Sequence, residues 1–346
     1  MFNKIKKRID KELLIFAKTL DQSHSLSKLS PILFKEIKEF ILRDGKRIRP
    51  ALFLIGYLGF KKKPAKNLYK SALAIELLHD FMLVHDDIID KSDTRRGKPS
   101  MHAKFNSFLS KHSNAKFNGQ DLAIVTGDVM YAMAIHSFLS IEENFKRKEK
   151  ALRKFIEAAM YTGAGEFIEL ILGIKDIDKT TKQDIMKVYD YKTAQYTFSC
   201  PLSTGAILAG ARNNEIDKLF KYGICLGRAF QIKDDILGMF GDEKKIGKSI
   251  LTDLQEAKNT LLIWYTYKKA DRKTKKIMNK IMSRQKVRMS DLFQIRKIVI
   301  SSGALEYAKR EVSSLIRQAQ QIIKNSGILP LYKKTLNLFT TQILDL

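Results

Sequence analysis

The stretch ELLHDFMLVHDDIIDKSDTRRG, residues 76–97, combines a continuous apolar pattern with several aspartates and a pair of arginines. It contains no proline and its only glycine is its last residue, so the apolar part predicts a largely buried α-helix. Asp86 and Asp90 are four residues apart and therefore share one face of that helix. His79 lies one heptad before Asp86, on about the same stripe. We predict a core helix that carries an acidic face.

The aspartates of this helix need a physical reason, because burying an acid is costly unless it is paired or bound to a cation. The donors are hard carboxylate oxygens with no thiolate nearby, which suits Mg²⁺ better than Zn²⁺. Arg95 and Arg96 follow the acids and fit a clamp for a diphosphate bridged by such an ion. A plainer interpretation stays open from this stretch alone, in which the aspartates are solvated or form ion pairs with the two arginines.

A second acidic pair occurs in GRAFQIKDDILG, residues 227–238. Gln231 and Asp234 share one face of an apolar helix, Asp235 comes next, and Lys248 and Lys258 follow downstream. Two such groups are hard to explain as solvated helix ends. We expect them to face each other across a helical bundle and to hold a cluster of Mg²⁺ ions and a diphosphate.

Three other basic residues are candidates for anion binding. Lys46 and Arg49 lie in GKRIRP, where Pro50 favours the start of an apolar helix, and they could hold an anion at that helix start. Lys192 lies in a helix that is small and apolar on either side. Pairing with an anionic ligand and a position on the surface both remain open for this lysine.

The fold class follows from the absence of strand patterns. Over all 346 residues no run of alternating β-branched residues is bounded by turns, which predicts an all-α protein. The sequence shows neither a repeat of about 20–50 residues nor a long linker. We therefore expect a single domain over residues 1–346. Cys200 and Cys225 belong to no close pair, so we expect small core residues and no disulfide.

The formal net charge of +26 attracts nucleic acid, anionic lipid headgroups or diphosphates, and it does not choose among them. No aromatic residues alternate with the basic ones in KKADRKTKKIMNK, residues 268–280, as a single-strand binding groove would prefer, so we expect no nucleic-acid partner. No apolar run approaches the length of a membrane span, and the N-terminus lacks the pattern of a signal peptide. We expect a cytoplasmic protein that makes peripheral contact with anionic membranes.

Together these motifs make the chain resemble the trans-isoprenyl diphosphate synthases, the polyprenyl synthetase family. The resemblance runs from about Gly45 to Lys309, which is most of the chain. Its motifs are GKRIRP, the DDIID of residues 86–90 with Arg95 and Arg96, YKTAQY of residues 191–196, FQIKDD of residues 230–235, and GKS and AKNT downstream.

The resemblance implies an all-α isoprenoid synthase fold, a bundle of long helices around a central active-site cavity, and a homodimer. It also implies a reaction in which Mg²⁺ assists departure of diphosphate from an allylic substrate. The double bond of isopentenyl diphosphate then attacks the allylic cation, and a proton is lost to the released diphosphate.

The roles that the resemblance implies fall into three sets. Two or three Mg²⁺ ions would be ligated by Asp86, Asp90 and Asp234, with Asp87 and Asp235 in support. The allylic diphosphate would be bound by Arg95, Lys192, Lys248 and Lys258, with Thr193 and Gln231 along the developing cation. Isopentenyl diphosphate would be held by Lys46, Arg49, His79 and Arg96.

Two positions affect how far the resemblance extends. Gly238 stands where many members have the third aspartate of the second motif, so Asp234 is expected to be the principal ligand there. Phe81 stands at the fifth position before the first motif, and Met82 follows it one turn before Asp86. In the family an aromatic residue at that position is typical of short-chain enzymes. The resemblance therefore implies a C20 product, geranylgeranyl diphosphate, with a C15 product as the next expectation.

Three other protein classes compete with this interpretation. The doublets His79-Asp80 and His85-Asp86 are typical of metal-dependent phosphohydrolases, but that class needs a further histidine upstream and an aspartate downstream. A terpene cyclase shares the metal chemistry but has no need of GKRIRP. A basic helical protein that binds nucleic acid or membrane would leave the buried aspartates without a reason.

Overall fold

The computed structural model describes residues 1–241 and 251–345, and its helices confirm the all-α prediction. The chain forms two compact units, of which unit 1 comprises residues 1–152 and 204–210 and unit 2 comprises residues 153–203 and 211–346. The single domain over residues 1–346 stays a prediction.

Unit 1 contains α1 (Phe2–His24), α2 (Leu26–Leu29), α3 (Pro31–Ile41), α4 (Ile48–Leu58), α5 (Leu68–Ile89), β1 (Thr94–Arg95), β2 (Lys98–Pro99), α6 (Met101–Leu109) and α7 (Gly119–Leu139). Helix α8 (Phe145–Ile174) contributes to both units. Unit 2 continues with a 3₁₀ turn (Ile177–Lys179), α9 (Lys182–Val188), a π-helix (Tyr189–Ser199) and α10 (Cys200–Ala209), whose second half belongs to unit 1. It is completed by α11 (Asn213–Phe240), α12 (Thr252–Gln255), α13 (Leu261–Lys269), α14 (Arg272–Met282), α15 (Met289–Ser301), α16 (Ala304–Lys324) and α17 (Pro330–Asp345).

Helix α5 is the buried helix that the first stretch of sequence predicts. Every residue from Ser71 to Leu78 is buried, and α5 packs along α7 and α4. The helix ends at Ile89, so Asp86 lies in its last turn and Asp90 follows as its C-terminal cap. The acidic face is therefore at the end of a helix whose middle is fixed in the core of unit 1.

Helix α7 bears on the expectation that no segment spans a membrane. Within residues 1–241 and 251–345 it is the one helix long and apolar enough to cross a bilayer by length and composition. Core helices of water-soluble proteins pass the same test, and α7 packs along α5. Packing inside unit 1 accounts for the buried part of the apolar window, which is 44% of it.

A short antiparallel hairpin, which the sequence did not indicate, interrupts the helices after α5. Strands β1 and β2 pair Thr94 with Pro99 and Arg95 with Lys98. The two residues between the strands, Arg96 and Gly97, have φ of +54° and +71°. Positive φ at both central positions is what a two-residue type I′ turn requires. Strands of two residues are too short to give a recognisable alternation.

The helix around Lys192 is a π-helix that packs along α11 in unit 2. One glycine on α11 and one on α8 let these two helices approach the π-helix closely. A Cβ added at Gly227 of α11 would lie 2.3 Å from the Cα of Ala194, and one added at Gly165 of α8 would lie 2.5 Å from the backbone nitrogen of Lys192. Both neighbours are main-chain atoms, which cannot move aside without shifting the helix. Cys200 is buried, as expected for a core residue, whereas Cys225 is half-buried; both are free thiols in the structure.

We predict that Gly227→Ala lowers the free energy of unfolding by about 2 kcal/mol or more, because the new methyl group collides with backbone. Gly173 is a matched control in α8, since a Cβ added there meets nothing closer than the Glu256 carbonyl oxygen at 3.9 Å. Gly173→Ala should be neutral or stabilising by up to about 1 kcal/mol, because Ala has the higher helix propensity. Urea unfolding at one protein concentration compares the two, and equal stability of both variants would contradict the packing described.

Candidate active site

The three aspartates at the end of α5 differ in burial. Asp86 and Asp90 are half-buried, whereas Asp87 is fully buried. Arg95 Nε donates to Asp87 Oδ1 at 2.7 Å. Burial raises the pKa of Asp87, and the hydrogen bond from Arg95 acts in the opposite direction. Asp87 is thus tied to a protein partner, while Asp86 and Asp90 retain exposure to a ligand.

The hairpin that carries Arg95 and Arg96 is anchored by Arg43, which directly follows the C-terminal cap of α3. The buried Arg43 guanidinium donates to the carbonyl oxygens of Arg95 at 3.3 Å and Pro99 at 2.9 Å. Its other partner is the carboxylate of Glu39, at 2.9 Å. Sequence analysis missed Arg43, and the available signal was a basic residue immediately after a helix C-terminus.

The GKRIRP segment separates a structural arginine from candidate ligands. Arg47 is buried and pairs with Glu76 at 2.6 Å and with Asp10 at 2.9 Å, so it serves the core of unit 1. Lys46 is exposed and Arg49 is half-buried. These exposures agree with the choice of Lys46 and Arg49 as candidate ligands.

His79, Arg49 and Arg96 are close enough to influence one another. Burial lowers the pKa of His79 well below its ordinary value, and the charges of Arg49 and then Arg96 lower it further. His79 is therefore neutral near pH 7. The Arg96 guanidinium carbon also lies 3.4 Å from where a Cβ of Gly45 would be. The structure thus brings together three of the four residues expected to hold isopentenyl diphosphate, with Lys46 next to Gly45 in sequence.

Phe81 and Met82 are half-buried on α5. The Phe81 ring packs against His85, with 4.7 Å between ring centroids, and against Tyr131 of α7, with 5.2 Å. Tyr131 was not among the residues selected from sequence, because nothing in the pattern of α7 marks which aromatic residue meets α5. Its contact makes it a second candidate for the wall that limits chain length.

In unit 2, Lys192 is neither a free surface lysine nor an isolated buried cation. Its ammonium group pairs with Glu166 at 2.5 Å and with Glu169, and 22% of its side chain is exposed. Both glutamates lie largely buried around Lys192, and with all three groups ionised this cluster holds one positive and two negative charges.

Thr193 and Gln231 belong to a hydrogen-bonded chain that ends on Asp235. The Thr193 hydroxyl donates to Gln231 Oε1 at 2.7 Å, and Gln231 Nε2 donates to Asp235 Oδ1 at 3.0 Å. The Tyr189 hydroxyl donates to the other oxygen of Asp235 and accepts from the backbone N–H of Leu261 at 3.0 Å. Burial raises the pKa of Tyr189 well above its ordinary value, and Asp235 raises it further. Sequence analysis missed Tyr189, which the π-helix places opposite α11.

The remaining candidates of unit 2 are placed less completely. Asp234 is exposed on α11, in contrast to the buried Asp235 beside it. Lys258 pairs with Glu256 at 2.6 Å. Lys248 lies outside the described residues, so its assignment to the allylic diphosphate stays a prediction.

The donor set fits Mg²⁺ that is completed by a substrate. Within residues 1–241 and 251–345, no three His, Cys, Asp or Glu side chains gather closely enough to hold a metal ion by themselves. Mg²⁺ typically uses one or two protein carboxylates and takes its other oxygens from water and phosphates. Asp86 and Asp90 of unit 1 are half-buried and Asp234 of unit 2 is exposed, and carboxylate oxygens suit Mg²⁺ better than Zn²⁺.

Comparison with known proteins identifies the family. The model of the polyprenyl synthetase family matches residues 30–299, and the chain belongs to this family. It is similar to a geranylgeranyl diphosphate synthase of Saccharolobus solfataricus, with 34% identity over 80% of this chain and 79% of that protein. It is also similar to a geranylfarnesyl diphosphate synthase of Aeropyrum pernix, with 33% identity over 88% and 91%.

A solved structure confirms the fold. It is that of a geranylgeranyl pyrophosphate synthase from Corynebacterium glutamicum complexed with isoprenyl diphosphate and magnesium, with a TM-score of 0.90, 24% identity and 99% coverage of each chain. The family is Mg²⁺-dependent, and this chain is a prenyltransferase that makes short-chain products from isoprenyl diphosphates. The phosphohydrolase, the cyclase and the nucleic-acid-binding protein are thereby set aside.

We predict that Tyr189→Phe lowers the rate of prenyl transfer by about tenfold, because Asp235 loses a donor while remaining buried and releases its hold on Gln231. Tyr222→Phe is a matched control, since the buried hydroxyl of Tyr222 is hydrogen-bonded to the Leu336 carbonyl oxygen at 3.2 Å and to Thr340 Oγ1 at 2.8 Å. Both variants should lose about 1–3 kcal/mol of stability. Steady-state kinetics distinguish them, and an equal loss of activity in both would contradict a positioning role for Tyr189.

Proposed function

We propose that this chain condenses isopentenyl diphosphate with dimethylallyl, geranyl or farnesyl diphosphate, with Mg²⁺, and releases geranylgeranyl diphosphate (C20). Farnesyl diphosphate and longer products are the alternatives. The observation that supports this chain length is the contact of the Phe81 ring on α5 with Tyr131 of α7, between one and two turns before Asp86. The curated relatives agree with a product of about this size, since the two described above are named for C20 and C25 products.

In the reaction, two or three Mg²⁺ ions would be held by Asp86, Asp90 and Asp234 and would neutralise charge on the departing diphosphate. Arg95, Lys192, Lys248 and Lys258 would bind the same diphosphate. The bond between the allylic carbon and the diphosphate oxygen breaks, and the diphosphate leaves with the electron pair. Thr193 and Gln231, fixed through Asp235 and Tyr189, would face the allylic cation with their side-chain oxygens.

Isopentenyl diphosphate would be bound by Lys46, Arg49 and Arg96, with neutral His79 as a hydrogen-bonding group that adds no charge. Its double bond supplies the electron pair of the new carbon–carbon bond. A proton then leaves the carbon next to the new cation and goes to the released diphosphate, which restores a double bond. No side chain of this protein needs to act as a nucleophile.

The test is product analysis by chromatography, with isopentenyl diphosphate, each of the three allylic primers, and Mg²⁺. We expect a C20 product from the unaltered protein, loss of at least about a thousandfold in rate for Asp86→Ala, and longer products for Phe81→Ala and Tyr131→Ala. Asp217→Ala, which removes an exposed acid of α11 outside the site, should leave rate and product unchanged. Failure of the unaltered protein to condense any primer would overturn the proposal, and an unchanged product in both aromatic variants would overturn its chain-length part.

We also propose a homodimer formed through one face of α8. Met160, Phe167, Leu170, Ile171 and Ile174 are 47–84% exposed on this face. No charged side chain lies among them, although the chain carries a net charge of +26. An uninterrupted apolar face in so basic a protein suits a second copy of the same face.

Phe167→Asp should shift the mass measured by light scattering from dimer to monomer, because the face would bury two carboxylates. Phe293→Asp, at an aromatic residue of α15 that is 54% exposed, is the matched control and should stay dimeric. A monomeric unaltered protein would contradict the proposal.

Finally, we place the protein in the cytoplasm, in peripheral contact with anionic membranes that take up its apolar products. The support is the net charge of +26, which anionic lipid attracts at low ionic strength. Equal binding to neutral and anionic vesicles at low salt would contradict this contact.

A further inference from the structure

Asp80 is a fully buried carboxyl group that the mechanism above does not use. It lies on α5, one turn after Glu76, and neither of its oxygens has a hydrogen-bond partner. A buried carboxylate without such partners is among the most costly groups that a protein can hold. Its position therefore calls for a reason beyond packing.

The surroundings of Asp80 are mainly cationic. Glu76, on the same helix, is already neutralised by Arg47 at 2.6 Å, and the other donors of Arg47 go to Asp10 and to backbone carbonyls of residues 41 and 43. The cation that approaches Asp80 is Arg96, whose Nη1 lies 3.9 Å from Oδ1. This separation is beyond hydrogen-bond distance but within the range of a strong charge interaction.

Arg96 is held beside Asp80 by the hairpin rather than by a hydrogen bond to the carboxyl group. It occupies the first central position of the type I′ turn, and its guanidinium lies against Gly45. The side chain is 23% exposed, so it can reach a ligand in solvent while remaining next to the buried carboxyl group. Arg96 can therefore pair with either of two anionic groups, which are the substrate diphosphate and ionised Asp80.

We propose that Asp80 is a positioning residue that controls the affinity for isopentenyl diphosphate, by leaving Arg96 to the diphosphate when protonated and drawing it into an internal ion pair when ionised. This inference rests on the proposed function, since it takes Arg96 as a ligand of isopentenyl diphosphate. It adds a regulation of that subsite by pH.

The charges around Asp80 set the direction of the effect. Burial raises the pKa of Asp80 well above its ordinary value and Glu76 raises it further, while Arg96, Arg47 and Arg49 oppose both. Asp80 therefore keeps its proton at pH values where ordinary carboxyl groups have lost theirs. Below its pKa the carboxyl group is neutral and Arg96 carries its full charge toward the substrate. Above its pKa the new anion competes, so the affinity for isopentenyl diphosphate falls as the pH rises.

The experiment compares the unaltered protein with Asp80→Asn, which keeps the shape of the side chain and cannot ionise. The KM for isopentenyl diphosphate is measured between about pH 6 and about pH 9, a range that includes documented buried carboxyl groups. We expect the ratio of KM, unaltered protein over Asp80→Asn, to start near one and to rise by about tenfold at the alkaline end. Titration of the substrate itself cancels in this ratio. The corresponding ratio for the allylic substrate should stay constant.

Two further variants test whether the effect passes through Arg96 and through the charge of Asp80. When Arg96→Gln is added to both the unaltered protein and Asp80→Asn, the ratio of their KM values should not change with pH. The reason is that the cation for which Asp80 and the diphosphate compete is gone. Asp80→Thr is a second non-ionisable variant, for use if Asp80→Asn does not fold. A further test needs no variant and uses calorimetry on the unaltered protein in two buffers of different ionisation enthalpy. Binding of isopentenyl diphosphate should be accompanied by proton uptake at pH values near the pKa of Asp80.

A KM ratio that does not change with pH, equal changes for both substrates, or proton release alone on binding would overturn the inference. Each of these results leaves product formation by the unaltered protein intact. Absence of any condensation product would instead be a failure of the proposed function, so the two failures are distinguishable.

Discussion

The ion pair between Asp87 and Arg95 connects more of the described site than any other contact. Asp87 is fixed on a helix whose middle is entirely buried, and Arg95 is on a hairpin of two-residue strands that has little structure of its own. A buried carboxylate needs a cation or donors, and the hairpin supplies the cation of Arg95. The hairpin is itself attached to the end of α3, because Arg43 donates to two of its carbonyl oxygens. Once the hairpin is fixed, Arg96 must lie against Gly45 and beside Asp80.

The same physical constraint accounts for the arrangement in unit 2. Asp235 is buried, and it is satisfied by the Tyr189 hydroxyl and the Gln231 amide. These bonds hold Gln231, which in turn accepts from Thr193. In each acidic pair the second aspartate is buried and bonded to protein groups, and the first is more exposed to solvent. The proposed ligand role of Asp86 and Asp234 is consistent with this difference in burial, and the bonds of Asp87 and Asp235 give these two residues a structural reason to be acids.

The sequence was sufficient for the fold class, the buried helix α5 and the family, because each depends on local pattern or on motifs that are contiguous in the chain. It was insufficient for Arg43, Tyr189 and Tyr131, since each acts through a partner far away in sequence. The π-helix and the hairpin were also missed. A π-helix has no distinctive hydrophobic period at this length, and strands of two residues show no alternation. The pairing of Lys192 with Glu166 and Glu169 also depends on partners far away in sequence. The role of Lys192 in binding an anionic ligand, like the roles of the other site residues, stays a prediction.

The most direct measurement of this account is the Mg²⁺ concentration that gives half-maximal activity, determined for Asp86→Asn and Asp87→Asn in parallel. We expect Asp86→Asn to raise this concentration by about tenfold or more, because a ligand oxygen loses its charge. Asp87→Asn should leave it unchanged and instead raise the KM for the allylic diphosphate, since Arg95 loses the partner that orients it. An increase in the Mg²⁺ requirement of Asp87→Asn as large as that of Asp86→Asn would contradict the division between ligand and positioning aspartates.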